Sequence, residues 1–220
     1  VAGLAGALAA AGFETSAPLL PGHGTSAEDL AGCRWDDWRD AAEAAYLELA
    51  GRGGPVVACG LSMGGALAAA VAADHPEVAG LVAVNPLVDP PAASFQELLR
   101  GLLASGHPFL PGIAGDLTDA DTHEDAYDRL PVAALLSMSE GLEGLAPRLT
   151  GIACPVLILT SRHDRVVPTV SSDILASAVR GPVDRLWLEH SRHVATLDVE
   201  RDDVERRVVA FAGAVVSGYR

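Results

Sequence analysis

The chain has 220 residues, half of them hydrophobic and one fifth charged, which is enough apolar mass for one domain with a sizeable core. Its formal charge of −14, with 15 basic residues that are all arginine against 29 carboxylates, argues against an electrostatic grip on nucleic acid or on an anionic membrane surface. Three cysteines, Cys33, Cys59 and Cys154, make neither an even disulfide framework nor a C-x-x-C pair, and no two of the seven histidines stand at H-x-x-x-H spacing, so no metal or other cofactor is expected.

The Ala-rich opening, residues 1–13, reads as a helix. It lacks the positive flank of a secretory signal, since the first arginine is Arg34, and it is too short to span a bilayer, so a cytoplasmic protein without stable membrane insertion is expected. Residues 13–19 read as a strand, followed by a Pro-Gly-His-Gly turn in which His23 is expected to stabilise the turn and nothing more. Residues 35–50 carry tryptophans and apolar residues at helical spacing, with Asp36 and Asp37 at the end where the helix dipole favours acids. A buried strand at 56–59 leads through Gly60-Leu61-Ser62-Met63-Gly64-Gly65 into an Ala-rich helix at 63–74, stopped before Pro76. The apolar run 78–84, bounded by Asn85-Pro86, reads as a buried parallel strand. Between Asp89 and Thr150 the alternation of strand and helix breaks, in a stretch too long for a plain loop. It carries leucine-bearing amphipathic pieces and an acidic tract, residues 116–125, in which Asp116, Asp119 and Asp121 lack the offsets of a calcium loop and read as solvated surface. Strands at 154–160 and 184–189 and helices at 170–179 and 199–216 complete the chain, with no internal repeat and no low-complexity linker.

A glycine-flanked serine between a strand and a helix is the layout of a nucleophile elbow, which makes Ser62 the candidate nucleophile. The serine must sit on a strained turn, and the glycines at 60, 64 and 65 are expected to relieve crowding there. A serine hydroxyl is a weak nucleophile, so the elbow calls for a histidine base and an orienting carboxylate later in the chain. Asp164 lies in the loop after the strand at 154–160, in an Asp-x-x-Val-Pro context that favours it over Asp173 and Asp198. His193 lies in the loop after the next strand. His163, adjacent to Asp164, is expected to be a surface or supporting residue.

With GLSMGG at 60–65, HDRVVP at 163–168, SRHVATLD at 191–198 and LPGHGTS at 20–26, in that family's order and over nearly the whole chain, the sequence resembles the α/β-hydrolase superfamily. Within it the resemblance is to small bacterial carboxylesterases and monoacylglycerol lipases. It implies a mostly parallel α/β-hydrolase sheet flanked by helices, with residues 1–89 and 151–220 forming the core and 90–150 a small helical cap over the serine. Leu98, Leu99, Leu102, Leu103, Phe109, Leu110 and Ile113 could line an acyl pocket or glue the cap to the core. The resemblance further implies Ser62 as nucleophile, His193 as base then acid, Asp164 as orienting carboxylate and the Met63 backbone N–H as an oxyanion donor. A serine at the elbow disfavours the carboxylate-nucleophile chemistry of dehalogenases and epoxide hydrolases.

The chain departs from that family in two places. Arg192 stands where many members have Gly, which bears on access to His193. The N-terminal strands and the loop that would supply a second oxyanion N–H are missing from the pattern, which leaves the strand at 13–19 without a neighbour. The expectation is a chain that continues upstream of Val1, the alternative being a shortened domain with a rebuilt sheet edge or one that pairs with another chain; weak turnover or poor folding of the 220 residues alone is expected, because one lost oxyanion donor costs about 10²–10³ in rate. The expected activity is hydrolysis of a small-molecule carboxylic ester through an acyl-enzyme, without a cofactor. The alternatives are thioester hydrolysis, acyl transfer or perhydrolysis on the same three residues, and a non-catalytic ligand-binding domain.

Overall fold

The computed structural model describes residues 2–218, so Val1, where the opening helix was read to begin, lies outside the described residues. In chain order the elements are α1 (Ala2–Ala10), α2 (Ala27–Ala31), α3 (Trp35–Ala50), β1 (Val57–Leu61), α4 (Met63–Asp74), β2 (Gly80–Val84), α5 (Ala93–Ala104), β3 (Phe109–Pro111), β4 (Arg129–Pro131), α6 (Val132–Leu145), a 3₁₀ turn (Ala146–Gly151), β5 (Val156–Ser161), α7 (Val170–Ala178), β6 (Val183–Leu188) and α8 (Arg201–Gly218). Four parallel strands form one sheet in the order β1-β2-β5-β6, with Gly60 beside Ala83, Ala83 beside Ile158, and Ile158 beside Arg185. Every parallel neighbour requires a crossover, and helices supply it on both faces.

Side-chain alternation divides the sheet between two cores. Leu81, Ala83, Val156 and Ile158 pack on the side of α3, α4, α6 and α7, whereas Val82, Val84, Leu157 and Leu159 pack with Leu4, Val204 and Val208 of α1 and α8. All eight strand residues are essentially inaccessible, which explains why β2 and β5 are continuous apolar runs. On the first side α3 begins where the Arg34 N–H donates to Asp37 Oδ2 at 2.7 Å, a carboxylate at the positive end of the helix.

Residues 13–19 form no strand. They are exposed apart from the partly buried Phe13, Leu19 is 73% exposed, and no ladder reaches them. A strand needs a partner for its N–H and C=O groups, and among the described residues β1 pairs only with β2. The inserted stretch also differs from a purely helical reading, because α5 and α6 are separated by the short antiparallel pair β3–β4. Pro108, Pro111 and Pro131 deny a helix its N–H donors there. The stretch is fastened at its base: a Cβ on Gly141 of α6 would lie 2.1 Å from the Trp35 ring of α3, and the Trp35 N–H donates to Ser137 Oγ at 3.0 Å.

Candidate active site

Between the last residue of β1 and the first of α4 there is only Ser62, and the chain must reverse there. Ser62 takes φ 54° and ψ −121°, a backbone conformation that L side chains rarely adopt and that costs about 1–3 kcal/mol. The turn is held by Ser62 N–H to Val84 O (3.0 Å), Ala66 N–H to Ser62 O (3.1 Å) and Leu87 N–H to Ser62 O (3.2 Å). A Cβ on Gly60 would lie 2.0 Å from Gly64 O, so close approach requires glycine there, whereas one on Gly65 would lie 3.2 Å from the Pro86 Cα, a tight contact that a shift of a few tenths of an ångström relieves. At Gly64 a Cβ meets nothing within 4 Å, which corrects the expectation of crowding on both sides of the serine. Ser62 does not cap its helix with its side chain, so the hydroxyl is left for other work. Met63 is the first residue of α4, where geometry gives a backbone N–H no acceptor within the helix.

Asp164 follows β5 and His193 follows β6, both at the carboxyl ends of parallel strands, as Ser62 is. The Asp164 side chain is 2% exposed, and its charge is fully engaged. Oδ1 accepts from Val166 N–H and Val167 N–H, both at 2.8 Å, and Oδ2 accepts from His193 Nδ1 at 2.8 Å. That bond places the ring proton on Nδ1 and leaves Nε2 as the basic nitrogen. No hydrogen bond joins Ser62 Oγ to His193 among the described residues; such bonds commonly tighten only around substrate. The two are linked through the backbone. Asn85, directly after the strand whose Val84 holds Ser62, donates from Nδ2 to His193 O (2.8 Å) and to Ser161 Oγ (2.9 Å), and its Oδ1 accepts from Ser161 N–H at 2.7 Å. Asn85 is 2% exposed and has φ 43°, a conformation for which asparagine is enriched. Reading Asn85 as a strand boundary missed this; an amide directly after a central strand was the available signal.

Three more carboxylates fix these loops. Asp116 Oδ2 accepts from Arg165 N–H (3.0 Å) and His193 N–H (3.1 Å), so one carboxylate ties the acid-bearing loop to the base-bearing loop. This corrects the reading of Asp116 as solvated surface. Asp119 spends its own carboxylate on Asp121 N–H and the Thr122 hydroxyl. Asp198, once a rival for the acid's role, accepts from Thr118, Asp119, Arg192 and Val199 N–H groups between 2.7 and 3.0 Å. Burial pushes the Asp198 carboxyl up, but these donors prevail and hold it below the usual carboxylate range. Glu200 is lowered by the same balance, with Glu189, His190 and Ser191 N–H groups on its oxygens.

The remaining expected residues fall as follows. His163 is exposed and its ring has no hydrogen bond among the described residues. His23 Nδ1 lies 3.2 Å from Pro21 O, and the Trp38 Nε1–H donates to the same oxygen at 3.0 Å, a turn-stabilising arrangement. Tyr127 of the inserted stretch clasps that turn, its hydroxyl donating to Gly22 O and accepting from Thr25 N–H. Arg192 turns toward the inserted stretch, donating to Leu117 O at 3.1 Å. Of the expected apolar lining Leu99 is fully buried, Leu98 and Ile113 are 56% and 59% exposed, and the rest are partly buried. The cysteines are free and partly covered, and burial pushes the Cys59 thiol up to about 12. Among the described residues no three His, Cys, Asp or Glu side chains could hold a metal ion, and no helix is long and apolar enough to cross a membrane.

A family model described as serine aminopeptidase, S33, matches residues 1–200. A thermostable monoacylglycerol lipase of Bacillus sp. (strain H-257) is 35% identical over 94% of the chain and 82% of that lipase. A carboxylesterase of Bacillus subtilis (strain 168) is 28% identical over 91% of the chain and 81% of its own length. Among solved structures, one described for the metagenome-derived lipolytic enzymes LipS and LipT superposes with a TM-score of 0.89 at 33% identity, covering 94% of this chain and 85% of that one. With a parallel sheet, a strained serine elbow and an aspartate–histidine pair at its strand ends, the chain belongs to the serine aminopeptidase S33 family of α/β-hydrolases.

Proposed function

We propose that the chain is a cytoplasmic serine hydrolase that cleaves carboxylic esters of short to medium acyl length, monoacylglycerols among them, through an acyl-enzyme. The observation that carries this reading is the 2.8 Å bond between Asp164 Oδ2 and His193 Nδ1, beside a serine in a strained elbow. His193 Nε2 takes the Ser62 proton as Oγ attacks the ester carbonyl, and the Met63 N–H donates to the oxyanion. The imidazolium formed is stabilised by Asp164, and it returns the proton to the departing alcohol. Water then attacks the acyl-enzyme by the same route, and the acid leaves. Residues 90–150 act as the cap that shapes the acyl pocket, with Leu102, Leu103, Phe109 and Leu110 as its lining. The monoacylglycerol lipase and carboxylesterase relatives support ester chemistry for the site.

The test is the initial rate on p-nitrophenyl esters of increasing acyl length and on monoacylglycerols, for the chain and for Ser62→Ala, His193→Ala and Asp164→Asn. Each substitution is expected to lower kcat by about 10⁴ or more. Turnover that survives Ser62→Ala would refute the acyl-enzyme.

A further inference from the structure

We propose that a cleft on the outer side of the acid–base pair is a second site, which binds a phosphate or phosphomonoester group. The cleft measures about 480 Å³ and lies between the loop after β5 and the loop after β6. Its walls are His163 and Arg165 from the first loop, His190 and Arg192 from the second, and Thr118 from the inserted stretch, with the carboxylates of Asp164 and Glu189. Ser62 and Met63 are not part of the lining, and Asp164 stands between the cleft and the His193 ring. A ligand here therefore sits apart from the ester.

Charge accounting points to an anion. In a chain with 29 carboxylates and 15 arginines, ten arginines among the described residues pair with a carboxylate. Among the described residues Arg165 and Arg192 do not, and both line this cleft. Arg34 and Arg180 also lack a carboxylate, but each is turned to backbone carbonyls elsewhere. The Arg165 guanidinium has no hydrogen bond within the described residues, and Arg192 spends one N–H on Leu117 O. Neither carboxylate in the walls is bonded to these two guanidinium groups. Asp164 accepts from His193, Val166 and Val167, and both Glu189 oxygens accept from Arg162 Nε at 2.8 and 2.7 Å.

The donors that remain are two guanidinium groups and two imidazoles, and neither imidazole has a ring partner among the described residues. Guanidinium groups match tetrahedral oxyanions bidentately, and a phosphate offers enough acceptor oxygens for all four side chains, where a monocarboxylate would leave some unpaired. The Thr118 hydroxyl donates to His190 O at 2.7 Å and so steadies the second wall. A phosphate spanning the walls would clamp the acid-bearing loop to the base-bearing loop.

The experiment is calorimetric titration of the chain with inorganic phosphate and, separately, with glycerol 3-phosphate, at constant ionic strength against a chloride control. Saturable binding of either probe at one site is expected, weakened about tenfold or more by Arg165→Ala and by Arg192→Ala. The probe that binds more tightly identifies free phosphate or a phosphomonoester as the source. Circular dichroism of both variants checks folding, and Arg165→Lys, which keeps the charge, is expected to retain part of the affinity. Phosphate is expected to leave the KM for a neutral p-nitrophenyl ester unchanged. Binding no stronger than chloride, affinity indifferent to both arginine substitutions, or competition with the ester would overturn the proposal. Because the readout is binding, the result is independent of whether the chain hydrolyses esters.

Discussion

Replacing Gly60 and Gly64 one at a time by alanine separates the two glycines that flank the serine. A Cβ on Gly60 would lie 2.0 Å from Gly64 O, 2.2 Å from Gly64 C and 2.6 Å from Gly65 N. All three atoms are backbone in the first turn of α4, so no side-chain rotation relieves the overlap. Ordinary van der Waals contact begins at 3.4 Å, so the turn would have to move by about 1.4 Å. It has little room, since Ala66, Ala69 and Ala70 of α4 are 0% exposed against the sheet and its neighbouring helices. Overpacking of this kind costs about 3 kcal/mol or more, a fall in Tm of roughly 6–12 °C for a domain of this size. Alanine at Gly64 meets open space and improves helix propensity by up to about 1 kcal/mol, so Tm should hold or rise by about 2 °C. Thermal and urea denaturation followed by circular dichroism measure both. The reasoning fails if Gly64→Ala costs as much as Gly60→Ala, or if Gly60→Ala costs less than about 1 kcal/mol.

Further outcomes follow from the same geometry. Ser62→Gly should be more stable than Ser62→Ala by about 1 kcal/mol, because glycine tolerates φ 54° and alanine does not, while both abolish turnover; equal stability would mean that the elbow holds no strain. Asp116→Ala strips the acceptor from two backbone N–H groups and should cost about 1–3 kcal/mol and lower kcat more than it raises KM. Asp116→Asn keeps an oxygen there and should recover most of that loss, and the alanine and asparagine rates tell whether positioning is at stake. Asp198 and Glu200 are held below the ordinary carboxylate values, so their contribution is fully present above about pH 4–5 and is lost as pH falls through their folded-state values. Urea unfolding between pH 3 and 7 should therefore show stability declining on the acid side. Asp198→Asn should be less stable at neutral pH with a flatter acid slope, and an unchanged slope would exclude Asp198 from the linkage.

Much of the site was legible because its constraints are local. Gly60 and Ser62 belong to one turn, Asp164 follows the buried apolar run of β5 in an Asp-x-x-Val-Pro context, and His193 follows β6, a largely exposed edge strand, where the resemblance to α/β-hydrolases rather than apolarity singled it out. The bounds of α3 and α4 were readable for the same reason: a tryptophan and a Pro-terminated alanine run mark them. What escaped depended on distant partners. Asp116 lies 49 residues from Arg165 and 77 from His193, so its acidic neighbourhood suggested solvent. Residues 13–19 have the composition of a strand, but pairing is a property of two segments and composition reports on one. Gly64 shared a motif with Gly60, and only the direction of its missing Cβ separates them.

The carboxylates of Asp116 and Asp198 join the inserted stretch to the loops that carry the acid and the base, and this limits how the protein can be re-engineered. An insert of this kind invites exchange as a module, cut out between Asp89 and Gly151 and replaced by a relative's. Here residues 116–119 belong mechanically to the floor rather than to the roof: Asp116 accepts from the His193 N–H, and the Thr118 and Asp119 N–H groups reach Asp198. A chimera that keeps these four residues and splices on either side of them keeps their contacts to His193 and Asp198, whereas a clean exchange of the whole insert removes them.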